Sequence, residues 1–302
     1  MNAVQPTPQL HQHKVRQGFA DVDFLKISGP TGDWIVFDEP LNQREFTPEQ
    51  ITWLCDRTHG IGACGVVKMT VPQASAQHPE YHVQAWLADG TRPENLAEPA
   101  RVATYALAAL KKIPVEDTTH HVFHIGTELI TTVYTPSYVG VDIGQWSYIT
   151  PETGMAAGSD TLVMAAGLTD PRPGLGIRIQ TPYVTVAVET FEELQGIDLT
   201  ETPSLEPSPH EPTGLSFVVP QNPLIVEGMG RIALRHHPSL GSFHDLGSAA
   251  TAATVSFQLW TGLTQLTIWN VATPVGDIVV QLHDNQRVST FITLNTVFSG
   301  RL

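Results

Sequence analysis

The side chains best suited to moving a proton near neutral pH gather at two places, each at the opening of a stretch rich in small apolar residues. Glu98 stands at the first. His244 and Asp245 stand at the second, with His236 a few positions upstream. General acid–base chemistry needs such a carboxylate or imidazole within hydrogen-bond reach of the proton it moves. Each group also has a plainer reading. Glu98 equally suits a helix-start acid that stabilises the dipole, an effect under about 1 kcal/mol at an exposed end. Asp245 is an N-cap candidate. His244 either titrates in a site or faces solvent. His236 and His237 point opposite ways if they lie on a strand, so only one of them can enter a site. Gly247 and Ser248 supply a backbone N–H and a small hydroxyl at a helix start, where unpaired N–H groups favour a carboxylate. The same small residues also suit tight helix packing. Tyr183 is a proton donor or a packing residue.

Composition narrows the partners. The chain has 302 residues and a net charge of −14, which argues against nucleic-acid or anionic-membrane binding, since both require a basic face. Its two cysteines, Cys55 and Cys64, are too few for a disulfide framework and lie in no zinc-ligand pattern. Among thirteen histidines, neither His120, His121 and His124 nor His236, His237 and His244 has metal-ligand spacing, so no metal or other cofactor is expected. No apolar run approaches the roughly 20 residues of a membrane span. The polar segment 1–20 reads as a disordered tail without a signal-peptide core. A cytoplasmic protein is the resulting expectation.

The elements that must position these groups form a β-rich chain with few helices. Strands are read over 24–38, 66–71 and 81–87, with a helix over 47–58 opened by Thr47-Pro48-Glu49-Gln50, a capping-box signature. A second helix is read over 99–112, with two lysines placed to suit its C-terminal dipole. Strands follow over 121–130 and 131–143, then a Gly/Ala/Pro-rich connection over 150–174. Next come strands over 176–189, a helical turn over 190–194, a loop over 200–214, and strands over 215–219 and 224–234. The stretch 247–260 is small and apolar on every side at its start, as a buried helix would be. Strands over 266–271, 276–283 and 287–294 close the chain. The order repeats, which implies an α+β fold of two pseudo-symmetric lobes, each a curved, mostly antiparallel sheet around a central helix. The expected boundaries are 21–143 plus 288–302 for the N-terminal lobe and 144–287 for the C-terminal lobe. The starts of both helices are expected to face a shared cleft.

Three segments carry a resemblance. Phe24-Leu25-Lys26-Ile27-Ser28-Gly29-Pro30-Thr31-Gly32-Asp33-Trp34 resembles F-x-K-x-x-G-x-G-N-D-F. Asp56-Arg57-Thr58-His59-Gly60-Ile61-Gly62-Ala63-Cys64-Gly65 resembles D-R-x-x-G-I-G-A-D-G. Residues 88–101 resemble A-D-G-S-x-A-E-M-C-G-N-G-x-R, with Glu94 and Arg101 kept. These are motifs of the diaminopimelate epimerase family, whose relatives include proline racemases and phenazine-type isomerases. The resemblance implies that family's fold, a homodimer, and a site in which one thiol from each lobe faces the substrate carbon. Here both thiol positions are leucine: C-G-N becomes Leu96-Ala97-Glu98, and C-G-T becomes Leu246-Gly247-Ser248. The family's G-N-P-H looks like Gln180-Thr181-Pro182-Tyr183, and of its E-R-G only Arg235 survives. Cys64, standing for an aspartate, reads as an inert buried thiol.

A two-thiol epimerase is thereby excluded. The expected activity is a cofactor-independent isomerase or tautomerase that shifts a double bond on a small unsaturated carboxylic or amino acid, in secondary, antibiotic-type metabolism. Glu98, His244, Asp245 and His236 are the acid–base candidates. Ala97, Gly247, Ser248, Arg235 and Tyr183 would hold the substrate, and Leu96 and Leu246 would make the pocket apolar. Two alternatives stand beside it: a non-catalytic carboxylate-binding paralogue, and a cyclase that uses the apolar cleft to fold its substrate.

Overall fold

The computed structural model describes residues 21–39, 41–71, 81–116, 118–237 and 246–302. The chain divides into two compact units, one running to Val141 and taking back Leu294–Leu302, the other spanning Asp142–Thr293.

In the first unit β1 (Asp23–Gly29) and β2 (Gly32–Asp38) form a hairpin, and helix α1 (Pro48–Cys55) leads to β3 (Gly65–Thr70) and β4 (Tyr81–Leu87). Helix α2 (Ala97–Ala109) then leads to β5 (Thr119–Ile125), β6 (Glu128–Tyr134) and β7 (Val139–Gln145). Strand pairing runs β1–β2–β3–β4–β5–β6–β7, with β2/β3 and β4/β5 parallel and the other pairs antiparallel. The last strand of the chain, Asn295–Arg301, pairs with β1. Helix α2 packs on β1 through β6, so the sheet curls round it. The expected capping box of α1 is present: the Gln50 N–H donates to the Thr47 hydroxyl, and the Thr47 N–H donates to the Gln50 side chain. Ile51 and Leu54 of α1 close the outer face of the sheet over Ile35, Phe37, Val66 and Trp86.

The second unit repeats this plan. Its strands begin with β8 (Ser147–Tyr148), followed by α3 (Pro151–Ala157) and β9 (Thr161–Met164). The repeat proper is β10 (Arg172–Arg178), β11 (Pro182–Ala187), α4 (Phe191–Gly196), β12 (Ser204–Glu206), β13 (Gly214–Val226), β14 (Met229–His237), α5 (Leu246–Thr261), β15 (Ile268–Thr273), β16 (Gly276–Leu282) and β17 (Arg287–Ile292). The terminal strand is therefore β18. Pairing runs β10–β11–β13–β14–β15–β16–β17, again with the second and fourth junctions parallel. Helix α5 packs on all seven of these strands, and Leu194 and Ile197 cover the outer face.

The repeat reaches single residues. Gly65 lies under the Trp34 ring, and Gly214 lies under the Tyr183 ring at the same register position of the other unit. Thr104 of α2 donates to Ala100 O at 2.9 Å, and Thr254 of α5 donates to Ala250 O at 2.8 Å. These pairs align Leu96 with Leu246, Glu98 with Ser248, and Arg101 with Thr251.

Three sequence expectations need correction. Residues 150–174 are not one long connection: they hold α3, β9 and the start of β10, with Pro151 opening the helix and left-handed Gly158 closing it. Residues 215–219 and 224–234 are not separate strands. β13 continues to Val226 through a register shift between Pro220 and Ile225, and the chain turns at Glu227 and Gly228. Two prolines in β13 hid it, because proline cannot donate to the ladder and interrupts the pattern. The two lysines expected in the last turn of α2 lie beyond its end at Leu110; Lys111 takes a positive φ, and Lys112 pairs with Asp38.

A Cβ at Gly65 would lie 2.4 Å from both the Trp34 ring and the Trp86 carbonyl oxygen. Because one obstacle is backbone, Gly65→Ala is expected to cost about 1–3 kcal/mol and to lower the midpoint of thermal unfolding measured by circular dichroism.

Candidate active site

In the first unit the family-like segments form one ionic brace. Asp33 of β2 accepts both Arg57 guanidinium nitrogens, at 2.7 and 3.1 Å, and pairs with Lys26 at 2.7 Å. Lys26 also donates to Gly62 O. Asp56 accepts the N–H groups of Thr58 and His59. Gly60 leaves no room for a Cβ against Trp53 O, and Gly62 takes φ +78. These residues pin the loop before β3 to the β1–β2 hairpin. Burial works against the Asp33 charge, but the Arg57 and Lys26 cations overcome it and hold the carboxyl well below the usual carboxylate range. Cys64 is exposed, which corrects the expectation of a buried thiol. Its position in the brace still keeps it from being a ready nucleophile, since desolvation pushes its thiol up and the Asp33 carboxylate pushes the same way, outweighing a lowering by the Asp33 backbone and Arg57. Cys55 is buried and pushed up to about 12 by burial first.

The start of α2 carries Leu96 in the N-cap position without a side-chain cap. The Asn95 side chain instead accepts the Ala97 N–H at 2.9 Å. Pro99 has no N–H, and Ala100 N–H already reaches Leu96 O. Of the four donors a helix start normally offers, those of Leu96 and Glu98 take no bond within α2 among the described residues. The Glu98 carboxylate accepts the Thr31 hydroxyl and the Arg101 guanidinium. Arg101 is 1% exposed and Glu98 16%. An acid tied to a buried arginine stays in place, because removing one partner of a buried pair costs about 3–5 kcal/mol. Glu94 is exposed.

The start of α5 differs. β14 and β15 are parallel, so α5 runs back antiparallel to them, and its first turn lies at the end of β14. Tyr183, Ser216 and His236 lie at that end through the register Tyr183↔Gly214 and Ser216↔His236. Their neighbours Val184, Leu215 and Ala233 belong to the outer core with α4. Tyr183, Thr185, Ser216 and His236 consequently face α5. Tyr183 is buried and His236 half-buried. On the helix, Leu246, Gly247 and Ser248 are all buried, and the first turn holds no acid. The hydroxyls of Thr185, Ser216 and Thr251 are buried without a hydrogen-bond partner. Arg235 points to the opposite face and donates to the carbonyls of Leu194, Gln195 and Ile197 at 2.7–2.9 Å, closing the end of α4. The structure thus brings Tyr183, His236, Leu246, Gly247 and Ser248 to one end of the second unit and leaves Arg235 outside that group. His244 and Asp245 lie outside the described residues. Among the described residues no group of three His, Cys, Asp or Glu is placed to hold a metal ion, and no helix is long and apolar enough to cross a membrane.

Sequence reasoning missed Thr31 and Asn95, and the three buried hydroxyls. Asn95 carries a local signal, an Asn two residues before a helix start. Thr31 and the hydroxyls emerge only from strand register.

Comparison with known proteins agrees with this architecture. No family model matches the chain. It is 25% identical to a diaminopimelate epimerase of Rhodococcus opacus over 86% of its own length and 90% of that enzyme. It is 27% identical to a diaminopimelate epimerase of Acaryochloris marina, a match spanning half of that enzyme. In sequence the chain is thus similar to diaminopimelate epimerases over most of its length. Among solved structures, a phenazine biosynthesis protein of the PhzF family from Bacillus anthracis aligns with TM-score 0.59 at 9% identity, covering 93% of this chain and 98% of that one. A methylitaconate-delta-isomerase aligns with TM-score 0.50 at 11% identity, covering 94% and 96%. At such identities these structures show a shared fold.

The brace predicts an acid dependence. Asp33 has a depressed pKa in the folded protein, so its contribution is full above the unfolded-state pKa of about 3.9 and fades as pH falls below that toward the folded value. Stability against urea should drop more steeply below pH 4 in the wild type than in Asp33→Asn, which should be less stable at neutral pH.

Proposed function

We propose that this chain is a cofactor-independent isomerase that shifts a proton, and with it a double bond, on a small unsaturated carboxylic or amino acid in secondary, antibiotic-type metabolism. The observation that carries this reading is the convergence of His236 and Tyr183 on the start of α5, where Gly247 and Ser248 are small and the first helical turn itself, from Leu246, carries no acid. The substrate carboxylate is held by backbone N–H groups at that helix start. This drains charge from the conjugated chain and acidifies its C–H bond. The neutral His236 imidazole takes the proton, and the C–H electron pair moves into the conjugated system. The imidazolium then returns the proton to the far carbon of the displaced double bond, so nothing is gained or lost. Leu246 contributes an apolar wall. Neither cysteine lies at a helix start: Cys55 ends α1 and Cys64 precedes β3. The protein acts as a cytoplasmic homodimer without nucleic-acid or membrane partners. His244 and Asp245, just before α5 in sequence, are the other acid–base groups in this proposal.

The pairing of Glu98 with Arg101 favours a second reading, a carboxylate-binding relative without chemistry. Proton NMR in D₂O on a panel of dienoic and unsaturated amino acids separates the two. Deuterium is expected at carbon with the wild type, and His236→Gln should slow its entry by about a hundredfold or more. Binding without any deuterium incorporation would establish the second reading.

A further inference from the structure

Three neighbouring strands of the second unit place Thr185, Ser216 and His236 in one row on the face toward α5. Thr185 pairs with Ser216 in the β11–β13 register, and Ser216 with His236 in the β13–β14 register. Thr185 and Ser216 are fully buried, and among the described residues neither hydroxyl has a hydrogen-bond partner, so they do not bond each other. Thr251 of α5, which packs on these strands, carries a third buried hydroxyl without a partner. It stands at the same level. Five residues of helix at about 1.5 Å each advance about as far as two residues of strand at about 3.3 Å, the step from Tyr183 to Thr185.

The repeat shows that packing does not require hydroxyls here. Trp34 and Gly65 match Tyr183 and Gly214, so Val36 and Val67, register partners in β2 and β3, match Thr185 and Ser216. Both valines are buried. Elsewhere two buried hydroxyls satisfy each other directly, Thr104 with Thr132 at 2.6 Å. Threonine differs from valine by a hydroxyl, which is unfavourable in an interior unless bonded. The Thr185–Ser216 pair therefore points to a hydrogen-bonding group between them. Adjacent strands lie about 4.8 Å apart, a gap that one molecule bonding at about 2.8 Å on each side can bridge. Full burial of all three hydroxyls limits that molecule to the size of water.

We propose that Thr185, Ser216 and Thr251 hold one resident water beside His236, and that this water is the route by which the imidazole exchanges its proton with solvent. Buried waters make two to four hydrogen bonds, which three hydroxyls supply. In the exchange the imidazolium gives its N–H proton to the water oxygen while the water returns one of its own. The charge stays on the ring, and in D₂O only the isotope changes. The exchange role rests on the reading of His236 as the base; the water site does not.

Melting temperature and oxygen-17 relaxation dispersion, which counts long-lived waters, test the site without any substrate. Thr185→Val removes one hydroxyl at nearly constant shape and should melt lower by about 2 °C or more. A rise would overturn the proposal, because deleting an unpaired hydroxyl from a dry interior is stabilising. Thr185→Val and Ser216→Ala should each show one long-lived water fewer than the wild type, and an unchanged count in both would also overturn it. Ser256→Ala, which removes a buried hydroxyl without a partner elsewhere on α5, should leave the count as it is. In D₂O the deuterium gained at carbon per turnover should fall several-fold in Thr185→Val, since the proton taken from substrate is then returned to it. Equal incorporation after loss of the water would overturn the exchange role alone. Absence of turnover in the wild type would overturn the isomerase reading and the exchange role together, with the water site still decided by the first two measurements.

Discussion

Each unit is organised by a helix that the sheet surrounds, and this enclosure governs the sequence at every point that matters. A strand can approach a helix axis closely only where side chains are small. The first twelve residues of α5 are buried, most of them Ala, Ser, Thr or Gly. Ala97, Ala100, Ala103 and Ala106 serve α2 in the same way. Because the sheet closes over the helix body, the helix start is where polar chemistry can be concentrated, and there the N–H groups and the dipole select anions. The paired aromatics over Gly65 and Gly214 are the sheet's counterpart: a ring lies flat against the neighbouring strand because that strand has no side chain there.

The two units have used this frame differently. The first has turned inward. Its retained motif residues brace a loop through Asp33, Arg57 and Lys26, an asparagine side chain takes an N–H at its helix start, and Glu98 pairs with Arg101. The second, among the described residues, places buried hydroxyls and the His236 imidazole on the side of its sheet that faces α5. The superfamily likeness therefore describes the frame, while the chemistry has to be read from the second unit's own residues.

Much of the frame was legible in the sequence because its signals are local. The Thr47–Gln50 capping box, the small-residue helix at 247–260 and the repeated order of strands and helices each follow from residue type and period. Signals failed where tertiary pairing overrides local pattern. The prolines of β13 looked like strand ends, and the lysines after α2 looked like dipole partners although Lys112 reaches Asp38 instead. The site was less legible. Gly247 and Ser248 stand out by composition, but the facing of His236 toward α5 and of Arg235 away from it depends on strand parity, which a single residue's offset reverses. Glu98 read as an acid–base candidate or a helix-start acid; its ties to Thr31, distant in sequence, and to buried Arg101 emerge only in the fold.

The claim that a carboxylate is held at the start of α5 is tested most directly by following backbone amide resonances during titration with sorbate. The account predicts that the Gly247 and Ser248 N–H signals move with saturation while those of Ala97 and Glu98 stay fixed. Movement at Ala97 and Glu98, with Gly247 and Ser248 unmoved, would contradict it.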